Sequence, residues 1–261
     1  MDGLEDYDDD TVKLLGEKWL SIRRAANIQV ILLSGAAILG ICDLGFLATV
    51  PFIVTQTIER SWPFGSAICK ISIAMTHASG IASGFFLGFL SISCYFAAAG
   101  TYSSFARKQW YRLFTVLSWI AGIIYAIPHL VLYDILEFQT PVETHVHCTL
   151  TSNSRSTSTS LHVTNAIIII VPMLTSIIAS AGTFLVNPTR LRMLELDGET
   201  RSGKTLLVAL TANFAAWHLP FVVAQLIHFL TTNYNEKMVI ASFLIMPLPF
   251  IESAISPLLY I

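Results

Sequence analysis

The sequence predicts an all-α, polytopic transmembrane helix bundle with six spans, and three observations lead there. Of 261 residues, 54% are hydrophobic and 12% charged, whereas a soluble domain carries about 25% charged residues. The apolar residues fall in runs long enough to cross a bilayer as helices, which takes about 20 residues each. Lys and Arg gather in alternate connections, at 13–24, 107–112 and 190–204, the asymmetry expected of a multi-pass chain. The net charge of −2 gives no reason to expect nucleic-acid binding.

Two regions follow from this pattern, an acidic head with an amphipathic segment at 1–26 and a bundle at 27–261. The head, MDGLEDYDDD, is solvated and holds Tyr7 among carboxylates, and its acidity argues against a cleavable signal peptide. Residues 11–26 mix Leu14, Leu15, Trp19 and Leu20 with Lys13, Lys18, Arg23 and Arg24, the pattern of a helix lying on a membrane surface.

The first span runs from about 27 to 55 and is too short for two crossings. The second, about 71–100, is rich in Gly, Ala and Ser, which let helices approach closely. The third covers about 113–132. A polar loop at 133–162 then carries Cys148 and the run TSNSRSTSTS, expected to be flexible. The remaining spans are about 163–186, 205–230 and 238–261. An even number of spans, with the basic connections inside, puts both termini in the cytoplasm.

Several residues stand out against this apolar background. Asp43 is the only charge in the first span, and a charge at bilayer depth marks a functional site by default. Thr49-Val50-Pro51 follows, and its proline removes a backbone hydrogen bond and bends the helix. Trp62-Pro63-Phe64-Gly65 makes a short loop before Cys69. Two proline-centred stretches lie further on, Trp217-His218-Leu219-Pro220 and Ser256-Pro257-Leu258-Leu259-Tyr260. Cys42 and Cys94 fall inside spans while Cys69 and Cys148 flank outer loops, so one disulfide is the most expected. His145-Val146-His147-Cys148 could bind zinc, but it sits in a loop and the cysteine has a better use. No catalytic signature is present, neither a Gly-x-Ser-x-Gly elbow, a His-Glu-x-x-His zinc helix nor a phosphate loop, so no enzyme and no organic cofactor are expected.

In order and spacing these landmarks resemble helices two to seven of the rhodopsin-like (class A) G-protein-coupled receptors, and chemokine receptors most closely. The resemblance covers roughly 27–261, with the counterpart of the first helix absent. It implies that Thr49 and Pro51 open the extracellular mouth, that Trp62 belongs to the first outer loop, and that Cys69 pairs with Cys148. It also implies that Tyr7 is a sulfation site facing a basic ligand outside the cell, which conflicts with the inward head that six spans give. His218 stands at the usual tryptophan place of the sixth receptor helix, beside Trp217 and two residues before Pro220. Ser256, Pro257 and Tyr260 correspond to the Asn-Pro-x-x-Tyr of the last helix, with serine replacing asparagine. Asp43, Ser83 and Ser256 match the receptors' sodium pocket, and Glu252 lies one turn from Ser256. Two acids facing one cavity repel if both are ionised, so either a sodium ion sits between them or one stays neutral, hydrogen-bonded to the serines.

Departures from the family pattern bear on function. The Asp-Arg-Tyr motif falls on Ser93-Cys94-Tyr95, and a thiol cannot make the charge-assisted contacts of a guanidinium. The acidic pocket residue of chemokine receptors falls on Met246, their pocket aromatic on Ile53, and the fifth-helix tyrosine on Ser180. The expectation is a divergent, chemokine-receptor-like plasma-membrane protein that binds an extracellular protein or peptide and couples weakly, if at all, to G proteins, as a scavenger or decoy. One alternative is a truncated receptor product acting only by pairing with other receptors. Another is a six-helix transporter or channel, for which no inverted repeat speaks.

Overall fold

The structure is a computed structural model and describes residues 9–99, 104–139, 144–151, 155–185, 198–230 and 247–260. Helices α1 (Asp9–Leu47), α2 (Val50–Glu59), α3 (Gly65–Ala99) and α4 (Ser104–Leu132) lead into a hairpin of β1 (Tyr133–Gln139) and β2 (Thr144–Leu150). Helices α5 (Arg155–Leu185), α6 (Gly198–Leu230) and α7 (Leu248–Ile255) follow, and a 3-10 turn at Ser256–Tyr260 ends the chain's described part. Five helical stretches among the described residues are long and apolar enough to cross a membrane: Val30–Glu59, Gly65–Ala99, Arg112–Leu132, Ser160–Thr183 and Lys204–Ile227. The expected sixth span falls partly outside the described residues, which resume at Pro247.

Helix α3 is the axis of the bundle and packs against α1, α4 and α5. Small residues allow this. A Cβ added at Gly122 of α4 would stand 2.4 Å from the Ala78 carbonyl oxygen of α3, so the two backbones touch where the glycine lies. One core cluster joins Leu32, Phe86, Leu90, Cys94, Leu207 and Phe214 across α1, α3 and α6. The opposite faces are apolar and outward-turned, as Val116, Ile120, Ile123 and Ile127 of α4 show, and they meet lipid.

Three features differ from the sequence expectations. Helix α1 passes through residue 27 without a break, because nothing between Asp9 and Leu47 is a proline and its scattered glycines only weaken a helix. Residues 155–160 of the Ser/Thr run, expected to be flexible, form the first turns of α5. The long outer loop is a β-hairpin with Ile135 opposite Cys148. Half of its backbone groups pair across the two strands, and outward groups of Val146 and Cys148 are met by Trp62, Ser61 and Gln56.

The bend at Thr49 is built as its residues dictate. Pro51 offers no N–H to the Leu47 carbonyl, so α1 ends in a turn and α2 restarts. The Thr49 hydroxyl donates to the Phe46 carbonyl at 2.7 Å, and Thr76 of α3 donates to the Thr49 oxygen at 2.9 Å, which fixes the bend against the axis helix. Helix α2 closes on Arg60 in the left-handed region (φ 52°), and α3 opens at Gly65, whose φ of 76° a side chain would resist.

Candidate functional site

Cys69 and Cys148 are joined in a disulfide that ties the start of α3 to β2. Around it Trp62 is buried against Phe52 and Phe64, donates its indole N–H to the Gly65 carbonyl at 2.9 Å, and receives the hairpin through its own backbone N–H to Val146 at 2.6 Å. Gln56 accepts the Cys148 N–H at 3.0 Å. Lys70 pairs with Asp134 at 2.8 Å, and Ser66 donates to the same carboxylate. Hydrogen bonds from Lys70, Ser66 and the Ile135 N–H hold the Asp134 carboxyl down at about 2. The hairpin is therefore pinned on both strands over the mouth of the bundle.

Beneath it lies a cavity of about 430 Å³, within the range of small-ligand pockets. Phe46, Trp62, Phe221 and Phe250 form much of its wall, with His77 and Asn165 among its polar groups. Pro51 turns the chain here and Ile53 lines the pocket, whereas Met246 and Tyr7 lie outside the described residues. His77 stacks on His129 with ring centroids 3.8 Å apart, and Asn165 donates to Gln225 at 2.9 Å across α5 and α6. Sequence reasoning missed these four residues, although an intramembrane histidine or amide is itself a signal.

A second, much smaller cavity lies deeper, about 10 Å³ and so of the size that holds a single water or small ion. Asp43, Ser83 and Glu252 line it, as the sequence suggested, together with Ser79, His218 and the unforeseen Ser253. Asp43 Oδ2 is buried there with no hydrogen-bond partner among the described residues. Ser256 does not line the cavity. It donates to Glu252 Oε1 at 2.9 Å and accepts from Asn213 at 3.3 Å, while Asn213 accepts from the Trp217 indole at 2.9 Å. Ser253 lines the cavity beside Glu252. The oxygens of Asp43, Ser83, Ser253 and Glu252, an orphaned carboxylate oxygen among them, fit a hard cation such as sodium and are the ones that would hold it, beside the Cys42 and His218 side chains of the same wall. Among the described residues no group of three His, Cys, Asp or Glu is arranged for a metal, so any ion here would rely on serine hydroxyls.

The proline-centred residues are in helix interiors or at their ends. His218 is buried, its Nδ1 3.2 Å from the Phe214 carbonyl and its ring stacked on Phe214 at 4.1 Å. It lines both cavities, and Pro220 sits inside α6 two residues on. Pro257 and Tyr260 fall in the 3-10 turn.

At the far end of α3, Ser93 donates to the Phe89 carbonyl at 2.8 Å, and Cys94 is fully buried as a free thiol in the apolar core. Tyr95 lies against Gly182 of α5. Ser180, where the family has a tyrosine, forms with Ser91 and Thr211 a buried set of hydroxyls at 3.5 and 3.0 Å that links α3, α5 and α6.

Known proteins give this arrangement its context. Relaxin-3 receptor 2 of Mus musculus is 36% identical over 93 residues, 34% of this chain and 22% of that receptor. Neuropeptides B/W receptor type 2 of Bos taurus is 24% identical over 237 residues, 85% of this chain and 68% of that receptor. Apelin receptor A of Xenopus laevis is 34% identical over 99 residues, 37% of this chain and 27% of that receptor. For the first and third, the matched stretch spans about a quarter of the receptor. These relatives are receptors, not enzymes. The family pattern described as 7 transmembrane receptor (rhodopsin family) matches residues 36–260. With the pattern covering most of its length and its apolar helices crossing the bilayer, this chain belongs to the rhodopsin family of seven-transmembrane receptors and is an integral, multi-pass membrane protein.

Proposed function

We propose that the chain binds an extracellular peptide or small chemokine-like protein in the mouth beneath the hairpin, and that it couples poorly to G proteins. The relatives named for relaxin-3, neuropeptides B/W and apelin support a peptide as the ligand class. The chemokine-like element rests on the resemblance of Thr49-Val50-Pro51, where the chain bends, and of the Trp62 loop, which packs beside the Cys69–Cys148 disulfide.

Weak coupling rests on one observation. Cys94, at the place of the family's arginine, is 0% exposed among apolar side chains. In the receptor mechanism a guanidinium there presents charge-assisted donors to the G protein, and a buried thiol offers none. Ligand energy would still select among helix arrangements, with nothing at position 94 to read them out. The result is capture of ligand without strong signalling, by uptake or by pairing with other receptors.

The test is a screen of fluorescent extracellular peptides and chemokines for uptake by cells expressing the full chain, with a G-protein biosensor read in parallel. Saturable uptake without biosensor response is the expected outcome. A full biosensor response to a captured peptide would refute the coupling half, and capture of lipids alone would refute the ligand half.

A further inference from the structure

We propose that the 430 Å³ cavity selects an uncharged aromatic group carrying an amide, and rejects a cation or an anion of the same shape. This rests on the receptor reading above and names the chemistry its ligand presents at depth. Among the described residues, no Asp, Glu, Lys or Arg lines the cavity. Its polar groups are imidazole, amide and hydroxyl. On the outer side, Lys70 and Asp134 neutralise each other at 2.8 Å. Asp43 and Glu252 line the separate lower cavity, and Phe46 and His218 stand between the two spaces as shared wall. A charge brought into the upper cavity would lose its water and meet no counter-charge, which disfavours it strongly.

The cavity offers more to a neutral aromatic amide. Phe46 and Phe250 lie with centroids 4.4 Å apart and planes tilted by 36°, so each covers part of the other's face, and the pair is apolar wall rather than a cage of open faces for a cation. His77 makes ring contacts with His129 and Tyr125 and no hydrogen bond among the described residues, so its nitrogens can serve a ligand amide. Gln56 and Thr76 are already engaged with Cys148 and Thr49, while His77 and the Asn165 carbonyl, together with the Tyr133 and Thr149 hydroxyls, face the space where they can orient the amide. A peptide end of this kind is an aromatic residue followed by a carboxamide or an internal peptide bond, not a free carboxylate or a lysine.

The experiment uses the purified full chain in lipid nanodiscs and three probes that share an indole: N-acetyltryptamine, neutral; tryptamine, cationic at pH 7.4; and N-acetyltryptophan, anionic. Equilibrium dialysis should give saturable binding of N-acetyltryptamine at least about tenfold tighter than either charged probe. Ile53→Glu, which puts a carboxylate in the wall, should reverse the order in favour of tryptamine, a gain that misfolding cannot imitate. Should that variant not fold, His77→Phe is the second arm, expected to weaken N-acetyltryptamine about fivefold or more and leave tryptamine unchanged. Equal or tighter binding of a charged probe, or no saturable binding of the neutral one, overturns the proposal. Probe selectivity without peptide uptake by cells would leave this assignment standing and remove the receptor reading. Uptake with the wrong probe order would do the reverse.

Discussion

Replacing Gly122 with alanine tests whether α3 and α4 touch backbone to backbone. The new Cβ would lie 2.4 Å from the Ala78 carbonyl oxygen, where ordinary contact begins near 3.4 Å. A carbonyl inside a helix cannot swing away, so the interface must open by about 1 Å. Overpacking of this kind costs about 1–3 kcal/mol. Gly40→Ala is the matched control, since a Cβ there meets nothing within 4 Å. Both substitutions gain the same helix propensity, up to about 1 kcal/mol, so their difference isolates the clash. Gly45→Ala falls between, because its Cβ at 2.6 Å meets only the Ser79 hydroxyl, which can rotate.

Thermal unfolding of the three variants in one detergent should rank Gly40→Ala highest and Gly122→Ala lowest. At about 2–4 °C per kcal/mol the extremes should differ by several degrees. Ala78 sits between His77 of the upper cavity and Ser79 of the lower one, so Gly122→Ala should also weaken probe binding. A Gly122→Ala protein as stable as Gly40→Ala would refute the close packing on which both cavities depend.

Two further outcomes follow. The Asp134 carboxyl is held below its ordinary value, so its contribution to hairpin attachment is fully present above about pH 4 and is lost as pH falls toward 2. Hydrogen exchange of β1 should therefore show constant protection from pH 5 to 8 in the native chain, and Asp134→Asn should lower protection across that range. For the lower cavity, a cation held by Asp43 and Glu252 would stabilise the fold by mass action, by about 1.4 kcal/mol at ten times its dissociation constant. Melting in sodium should then exceed melting in an equal concentration of choline, and Asp43→Asn should abolish the difference. Equal melting of the native chain in both salts would remove the ion.

What was legible in the sequence is what lipid or covalent chemistry makes costly to misplace. Asp43 had to face the interior, Pro51 had to break a helix, and Cys69 and Cys148 are indeed bonded. The hairpin was not legible, because its strands are short and its register is set by Trp62, Gln56 and the disulfide, all distant in sequence. The continuity of α1 was obscured by a shift in composition at residue 27 that changes polarity without breaking the helix. Asn213 was within reach of sequence reasoning, since it precedes Trp217 by four residues, one helical turn. His77 with His129, and Asn165 with Gln225, were not, because each pair joins different helices.

The proposed weak coupling turns on Cys94, buried where the family's arginine would meet a G protein. The direct measurement is nucleotide exchange on G proteins in membranes holding either the native chain or the Ser93→Asp/Cys94→Arg variant, with a peptide captured in the uptake screen. The native chain should stay near background, and the variant should gain exchange on adding peptide. Robust exchange by the native chain would show that Cys94 does not limit coupling.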